Sequence, residues 1–184
     1  KTHYNIYYMK KALIITWNGY QDQEVVYPYY RLLEEGFEVD ILAEKPEWIF
    51  GILGTKMLAT KASHTLSLSD VEEYDFLLLP GGVKSLEKVR QEKNVLEFVK
   101  AFVDTEKVVA STCHGAQLLI SSKVTKGRKI SGYYSIQDDI ANSGATYVNE
   151  PAVVDGSIVS SPHYDHMGVW MKTAIQLYHD TSNE

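Results

Sequence analysis

The chain has 184 residues, of which 45% are hydrophobic and 23% charged, a balance that builds the core of one domain and excludes disordered and fibrous classes. Eighteen Lys and Arg against 24 Asp and Glu leave a formal net charge of -6. That sign repels a nucleic-acid backbone or an anionic bilayer unless a basic patch intervenes, and the sequence contains none. A lone cysteine rules out an internal disulfide and a Cys-rich zinc site, so a reducing, cytoplasmic setting is expected.

Residues 1–8 are Tyr-rich and lack the apolar run of a signal peptide. Because Met9-Lys10-Lys11 leads directly into a strand-like run, 1–8 read as a leader and 9–184 as a single domain. No apolar run approaches the roughly 20 residues that span a bilayer. Ala12 to Thr16 predicts a strand ended by Asn18-Gly19. Asp22 then caps a helix reaching Glu35, with Val25, Val26, Tyr29, Leu32 and Leu33 at helical spacing and Gly36 as its left-handed stop. Phe37 to Leu42 returns as a strand, which makes the opening a parallel crossover unit. Residues 54–69 suggest a hairpin or paired short strands on one edge. Phe76 to Leu79 is a buried strand running into Pro80-Gly81-Gly82, and one helix is expected from Glu87 to Val103. A further buried strand, Val108 to Ser111, feeds a helix over 115–122. Next come a turn at Lys126-Gly127-Arg128, a helix over 136–141, a strand-turn-strand over 153–159 and a last helix from Asp165 to Tyr178. This is a doubly wound α/β sandwich with a mostly parallel sheet and helices on both faces.

The chemistry concentrates at the carboxyl ends of the strands. Cys113 sits in Ser111-Thr112-Cys113-His114-Gly115, a strand-to-helix turn of the nucleophile-elbow kind. The expectation is a solvent-presented sulfur, ionised by the helix start behind it; the competing reading is a buried, inert cysteine. Gly81-Gly82 lets backbone N–H groups face a ligand, and Gly82 with the His114 amide makes a candidate oxyanion hole, although a plain tight turn explains these glycines as well. The segment lacks the spacing and lysine of a phosphate loop. Glu24, on the helix after the first strand, reaches the same sheet edge and either serves the sulfur or is a solvated helix-start acid. His163 and His166 stand at i, i+3, but a helix start with Asp165 as cap and His163 on the pocket rim is favoured over a metal site, and none is assigned.

Together Gly19-Tyr20-Gln21-Asp22-Gln23-Glu24, Glu34-Glu35-Gly36-Phe37, Leu79-Pro80-Gly81-Gly82, Cys113-His114-Gly115, Lys126-Gly127-Arg128 and Asp138-Asp139 resemble the ThiJ/PfpI family from about Lys11 to Tyr178. The resemblance implies a flavodoxin-like sandwich, akin to class I glutamine amidotransferases, with Cys113 as nucleophile and Glu24 touching the thiol. It further implies His114 pairing with a Glu from a neighbouring subunit. Glu87 is the best match to that acid, so the site would be interfacial and the protein a homodimer or larger assembly. Gly81, Tyr133 and His163 join the pocket, and no cofactor is implied. Members of this family are described as glyoxalase III enzymes, deglycases, chaperones and peptidases. The chain departs from the pattern at Gln21, Val83, Pro162 and the Tyr133-Tyr134 pair, all of which bear on the substrate. The leading expectation is a cysteine enzyme acting on small reactive carbonyls or their adducts. An amidase or peptidase using Cys113, His114 and Glu87, and a redox sensor or chaperone without catalysis, are the alternatives.

Overall fold

A computed structural model describes residues 8–182 of the chain. The expected leader therefore lies, apart from Tyr8, outside the described residues. Eleven strands and six helices are formed among these residues. The first half contains β1 (Lys11–Ile15), α1 (Asp22–Glu34), β2 (Glu38–Ala43), β3 (Trp48–Phe50), β4 (Lys56–Leu58), β5 (Lys61–Ala62) and β6 (Phe76–Leu79). The second contains α2 (Val83–Val89), α3 (Lys93–Asp104), β7 (Val108–Thr112), α4 (Ala116–Ser121), β8 (Lys129–Ile130) and α5 (Gln137–Asn142). It closes with β9 (Thr146–Tyr147), β10 (Val153–Asp155), β11 (Ile158–Ser161) and α6 (Met167–Ser182).

Seven strands form one sheet in the order β10-β11-β7-β6-β1-β2-β5. All pairings are parallel except β10 with β11, whose Asp155-Gly156 turn gives an antiparallel edge. Apart from the two edge strands the order is flavodoxin-like, and it reverses between β1 and β6, where a doubly wound sheet opens a crevice at its carboxyl edge. The central strands carry apolar side chains on both faces because both faces are covered. Ala12, Ile14, Phe76 and Leu78 pack under α1 and α6, while Leu13, Ile15, Leu77 and Leu79 pack under α2 to α5. Each Leu, Ile or Phe among them, taken fully from water, contributes roughly 1.5–3 kcal/mol before conformational entropy is counted.

Four local expectations are corrected. The helix expected over 87–103 is two helices, α2 beginning directly after Gly82 and α3 at Lys93. The chain turns between them so that Leu86 and Val89 of one, and Val95, Phe98 and Phe102 of the other, all reach the core. The expected edge structure over 54–69 is displaced: the hairpin is β3 with β4, starting at Trp48, and β5 joins β2 separately. Asp22 is the first residue of α1 rather than its cap, which falls on Gln21 with no side-chain bond. Asp165 is likewise not the cap of the last helical segment; the His163 side chain accepts from the Asp165 N–H at 3.2 Å. Gly36 does take the left-handed conformation expected of it, at φ +91°.

Candidate active site

The site is assembled where β1, β6 and β7 end. β7 delivers Cys113 at φ +55°, a left-handed conformation that a residue with a Cβ adopts at a cost. This sharp turn lets two sequence neighbours face one another: Cys113 Sγ and His114 Nδ1 are 3.4 Å apart. The turn is braced on both sides. Tyr133 N–H donates to the Cys113 carbonyl at 3.1 Å, and Gly115 lies so close to the Leu79 carbonyl that no Cβ fits there.

β6 delivers Gly81 and Gly82. Gly81 N–H donates to Glu24 Oε1 at 2.8 Å, tying the end of β6 to the first turn of α1. A Cβ on Gly81 would collide with Glu24 Oε1 and stand 2.9 Å from Cys113 Cβ. The absent side chain is thus the gap that the carboxyl and the thiol share. Gly82, at φ +111°, approaches the Gln21 backbone, where a Cβ would come within 2.7 Å. The Gln21 N–H in turn donates to the Gly81 carbonyl.

Burial sets the electrostatics of this cluster. Glu24 is fully buried, and loss of water pushes its pKa up to about 7, against the pull of Gly81 N–H and the thiol. Cys113, 7% exposed, is pushed up, first by burial and then by the nearby Glu24 carboxylate, while the His114 backbone N–H draws it down. Burial also lowers His114, which favours the neutral imidazole. The expected picture of an exposed, independently ionised thiolate is therefore corrected. The helix start behind Cys113 is a 3₁₀ turn leading into the short α4, and the dominant influences are desolvation and a facing acid. The acid and the thiol titrate as a pair. In the form with one proton between them, the stronger upward push on the thiol keeps the proton on sulfur and the charge on Glu24, which makes the carboxylate a base poised to take the thiol proton.

Cys113 nonetheless opens into a cleft of about 540 Å³. His114, Gly82, Tyr133 and His163 line it, whereas Gly81, expected in the pocket, lies with Glu24 behind the floor. An aromatic wall rises on one side: His114 and Tyr133 rings lie 5.0 Å apart, Tyr133 and His163 are stacked at 6.0 Å, and Tyr164 lies on His163 at 3.8 Å. The rest of the lining is Gln21, Ile52, Val83 and Lys84. Of these, Ile52 comes from the loop between β3 and β4, and nothing in its local sequence announces the site. Lys84 follows the glycines by two residues and Tyr164 follows His163 directly, so their closeness to site residues in the chain is the signal that marks them. Glu87 is not in this cleft. It is exposed on α2 and borders a separate depression with Arg90 and Gln117. His163 Nδ1 stands 3.1 Å from the Asp165 carboxylate besides the Asp165 N–H, so its partners are local.

Comparison with known proteins places this geometry in context. The profile described as the DJ-1/PfpI family matches residues 10–177. Deglycase PfpI of Pyrococcus furiosus is 38% identical over 167 residues, covering 91% of this chain and 98% of the relative. General stress protein 18 of Bacillus subtilis is 34% identical over 172 residues, covering 91% and 97%. Among solved structures, Schizosaccharomyces pombe DJ-1 superposes with a TM-score of 0.82 at 18% identity, covering 94% of this chain and 97% of that one, a likeness of fold. Among the described residues, no helix is long and apolar enough to cross a membrane.

Proposed function

Because the chain belongs to the DJ-1/PfpI family, we propose that it is a cysteine-dependent enzyme of the deglycase type. It acts without a cofactor in the cytoplasm, on small reactive carbonyls or their adducts. The observation that carries this reading is the Glu24–Cys113 pair: a buried acid with a pKa raised to about 7 facing the only thiol, at the floor of an open cleft. Relatives named deglycases at 37–39% identity support the substrate class.

With methylglyoxal as the simplest substrate, the Glu24 carboxylate takes the Cys113 thiol proton as sulfur adds to the aldehyde carbon, and passes that proton to the resulting alkoxide, forming a hemithioacetal. The Gly82 and His114 backbone N–H groups steady the oxygen as charge develops. Neutral His114 takes the carbon-bound proton and returns it to the adjacent carbon, leaving a lactoyl thioester on Cys113. Water releases lactate and restores the thiol. Hydrogen is only moved within the substrate, so the balance closes with one water consumed.

The working unit is read as a homodimer. Glu87 stands outside its own cleft, and the β3–β4 hairpin exposes Trp48, Phe50, Ile52 and Leu53, of which Ile52 reaches the cleft rim beside exposed Val83. A second copy seated on that apolar surface brings its Glu87 toward His114. Light scattering on the wild type and on Leu53→Glu tests the assembly; a monomeric wild type overturns it.

The enzymatic reading is tested by following lactate from methylglyoxal, and release of free amine or thiol from its adducts. Turnover should vanish in Cys113→Ala. A wild type without turnover, or a variant that matches it, overturns the proposal. One observation favours amide hydrolysis as a second reading: the 3.4 Å approach of neutral His114 to the sulfur is a nucleophile–base contact. Peptide cleavage lost in His114→Ala would support it, and its absence in the wild type removes it.

A further inference from the structure

The cleft has a charge asymmetry that the reaction above does not use. Its lining holds no carboxylate, although acids outnumber bases in the chain, and it holds one side chain of fixed positive charge, Lys84. Gly19 makes the path for that side chain. A Cβ on Gly19 would stand 3.0 Å from Lys84 Cβ and 3.7 Å from its Cδ, so the lysine stem is laid across the bare glycine backbone. Among the described residues no carboxylate pairs with Lys84, and no protein group accepts a hydrogen bond from it, whereas Lys61 is paired with Asp70 and Lys107 with two carbonyls. The neighbouring rim is neutral: Val83 carries no charge, and the Gln21 amide, which donates one N–H to Gln23 at 2.8 Å, carries none either.

From this arrangement we infer that Lys84 is a specificity-determining residue that binds a carboxylate on the substrate, so that the preferred substrates are carbonyl compounds or adducts whose carrier bears a carboxylate near the reacting centre. The inference deepens the carbonyl-adduct reading and rests on Cys113 being the reacting atom. An ammonium on a flexible stem is a point charge suited to a carboxylate presented at varying depth. Tyr133 and Tyr164 in the same cleft leave the apolar part of such an adduct a surface to lie on.

The test uses two alkylating reagents of nearly equal size, anionic iodoacetate and neutral iodoacetamide. In both, Cys113 sulfur displaces iodide, and the ratio of the two rate constants reads the attraction for the carboxylate independently of turnover. Lys84→Met should lower that ratio at least threefold and Lys84→Glu further. Lys84→Arg should restore it, and Lys100→Met, an exposed lysine on α3, should leave it where the wild type has it. An unchanged ratio in Lys84→Met, or an equal fall in Lys100→Met, overturns the inference. A second measurement separates it from the chemistry at sulfur. In the Cys113→Ser protein, glycolate should shift the backbone amide resonances of Gly82 to Lys84 saturably and glycolamide should not, the response disappearing with Lys84→Met. If the wild type alkylates with neither reagent, the Cys113 reading fails while this titration still decides the carboxylate site; equal shifts from both compounds overturn it.

Discussion

Two carboxylates stand two residues apart in the first turn of α1, both buried, and they do opposite things. Asp22 accepts from Leu53 N–H at 2.7 Å, from Thr55 N–H at 2.9 Å and from the Thr55 hydroxyl at 2.5 Å. Burial raises its pKa, yet these donors outweigh burial and hold the group below its ordinary value. Glu24 receives a single backbone donor and faces a thiol, so burial wins and its pKa rises to about 7. What separates a structural anchor from a reactive group is therefore donor number together with depth: Asp22 lies just beneath the surface with three donors, whereas Glu24 is enclosed on all sides with one. Asp22 ties the β3–β4 hairpin to the first helix; Glu24 is left under-supplied beside the sulfur it serves.

That contrast can be broken most forcefully at Glu24. Glu24→Gln should slow Cys113 alkylation by two orders of magnitude or more at pH 7. It should also abolish the rise in rate through about pH 7, leaving one only at alkaline pH. A stopped-flow pH profile checks both. Gly81→Ala, which pushes a methyl group into the carboxyl–thiol gap, should bring a similar loss of alkylation together with a lower melting temperature.

Asp22→Ala should cost about 3 kcal/mol in urea unfolding, because it strands two backbone donors and a hydroxyl around the hairpin loop. The pH dependences should have opposite signs. The depressed Asp22 contributes stability that is present above about pH 4 and lost as pH falls through its lower folded value. Glu24 binds its proton more tightly folded than unfolded, so stability falls as pH rises from about 4.5 to about 7. Glu24→Gln should flatten that second slope, making the variant more stable than the wild type at pH 8, by up to about 3 kcal/mol. The smallest effect concerns the strained turn. Cys113→Gly should be more stable than Cys113→Ala by about 1 kcal/mol, since only glycine takes φ +55° without cost; equal stabilities would mean the turn is unstrained.

Much of this was legible in the sequence, for reasons of periodicity. The short apolar runs Ala12 to Thr16, Phe76 to Leu79 and Val108 to Ser111 are buried parallel strands. The turns that follow them carry Gly81, Gly82 and Cys113 to one edge. The environments of these residues were not legible. Asp22 looks like a cap because caps are local, whereas its partners at Leu53 and Thr55 come from more than thirty residues away. Trp48 and Phe50 are half exposed on a hairpin that packs outside the main sheet, so their alternation gives no core-facing signal. Tyr133 and Gly132 fold back against the Cys113 carbonyl, a contact that no spacing announces.

The glycine at 115 has a practical consequence for anyone wishing to redirect this protein. With the Leu79 carbonyl pressed against its α-carbon, and with Gly81 and Gly132 similarly hemmed in by Glu24, Cys113 and Ile140, the floor behaves as a casting whose dimensions admit no additional atom. Variation is tolerable only along the mouth. A mutagenesis library aimed at new substrates should randomise positions 52, 83, 84 and 164, where side chains are solvent-exposed, and hold the three glycines invariant.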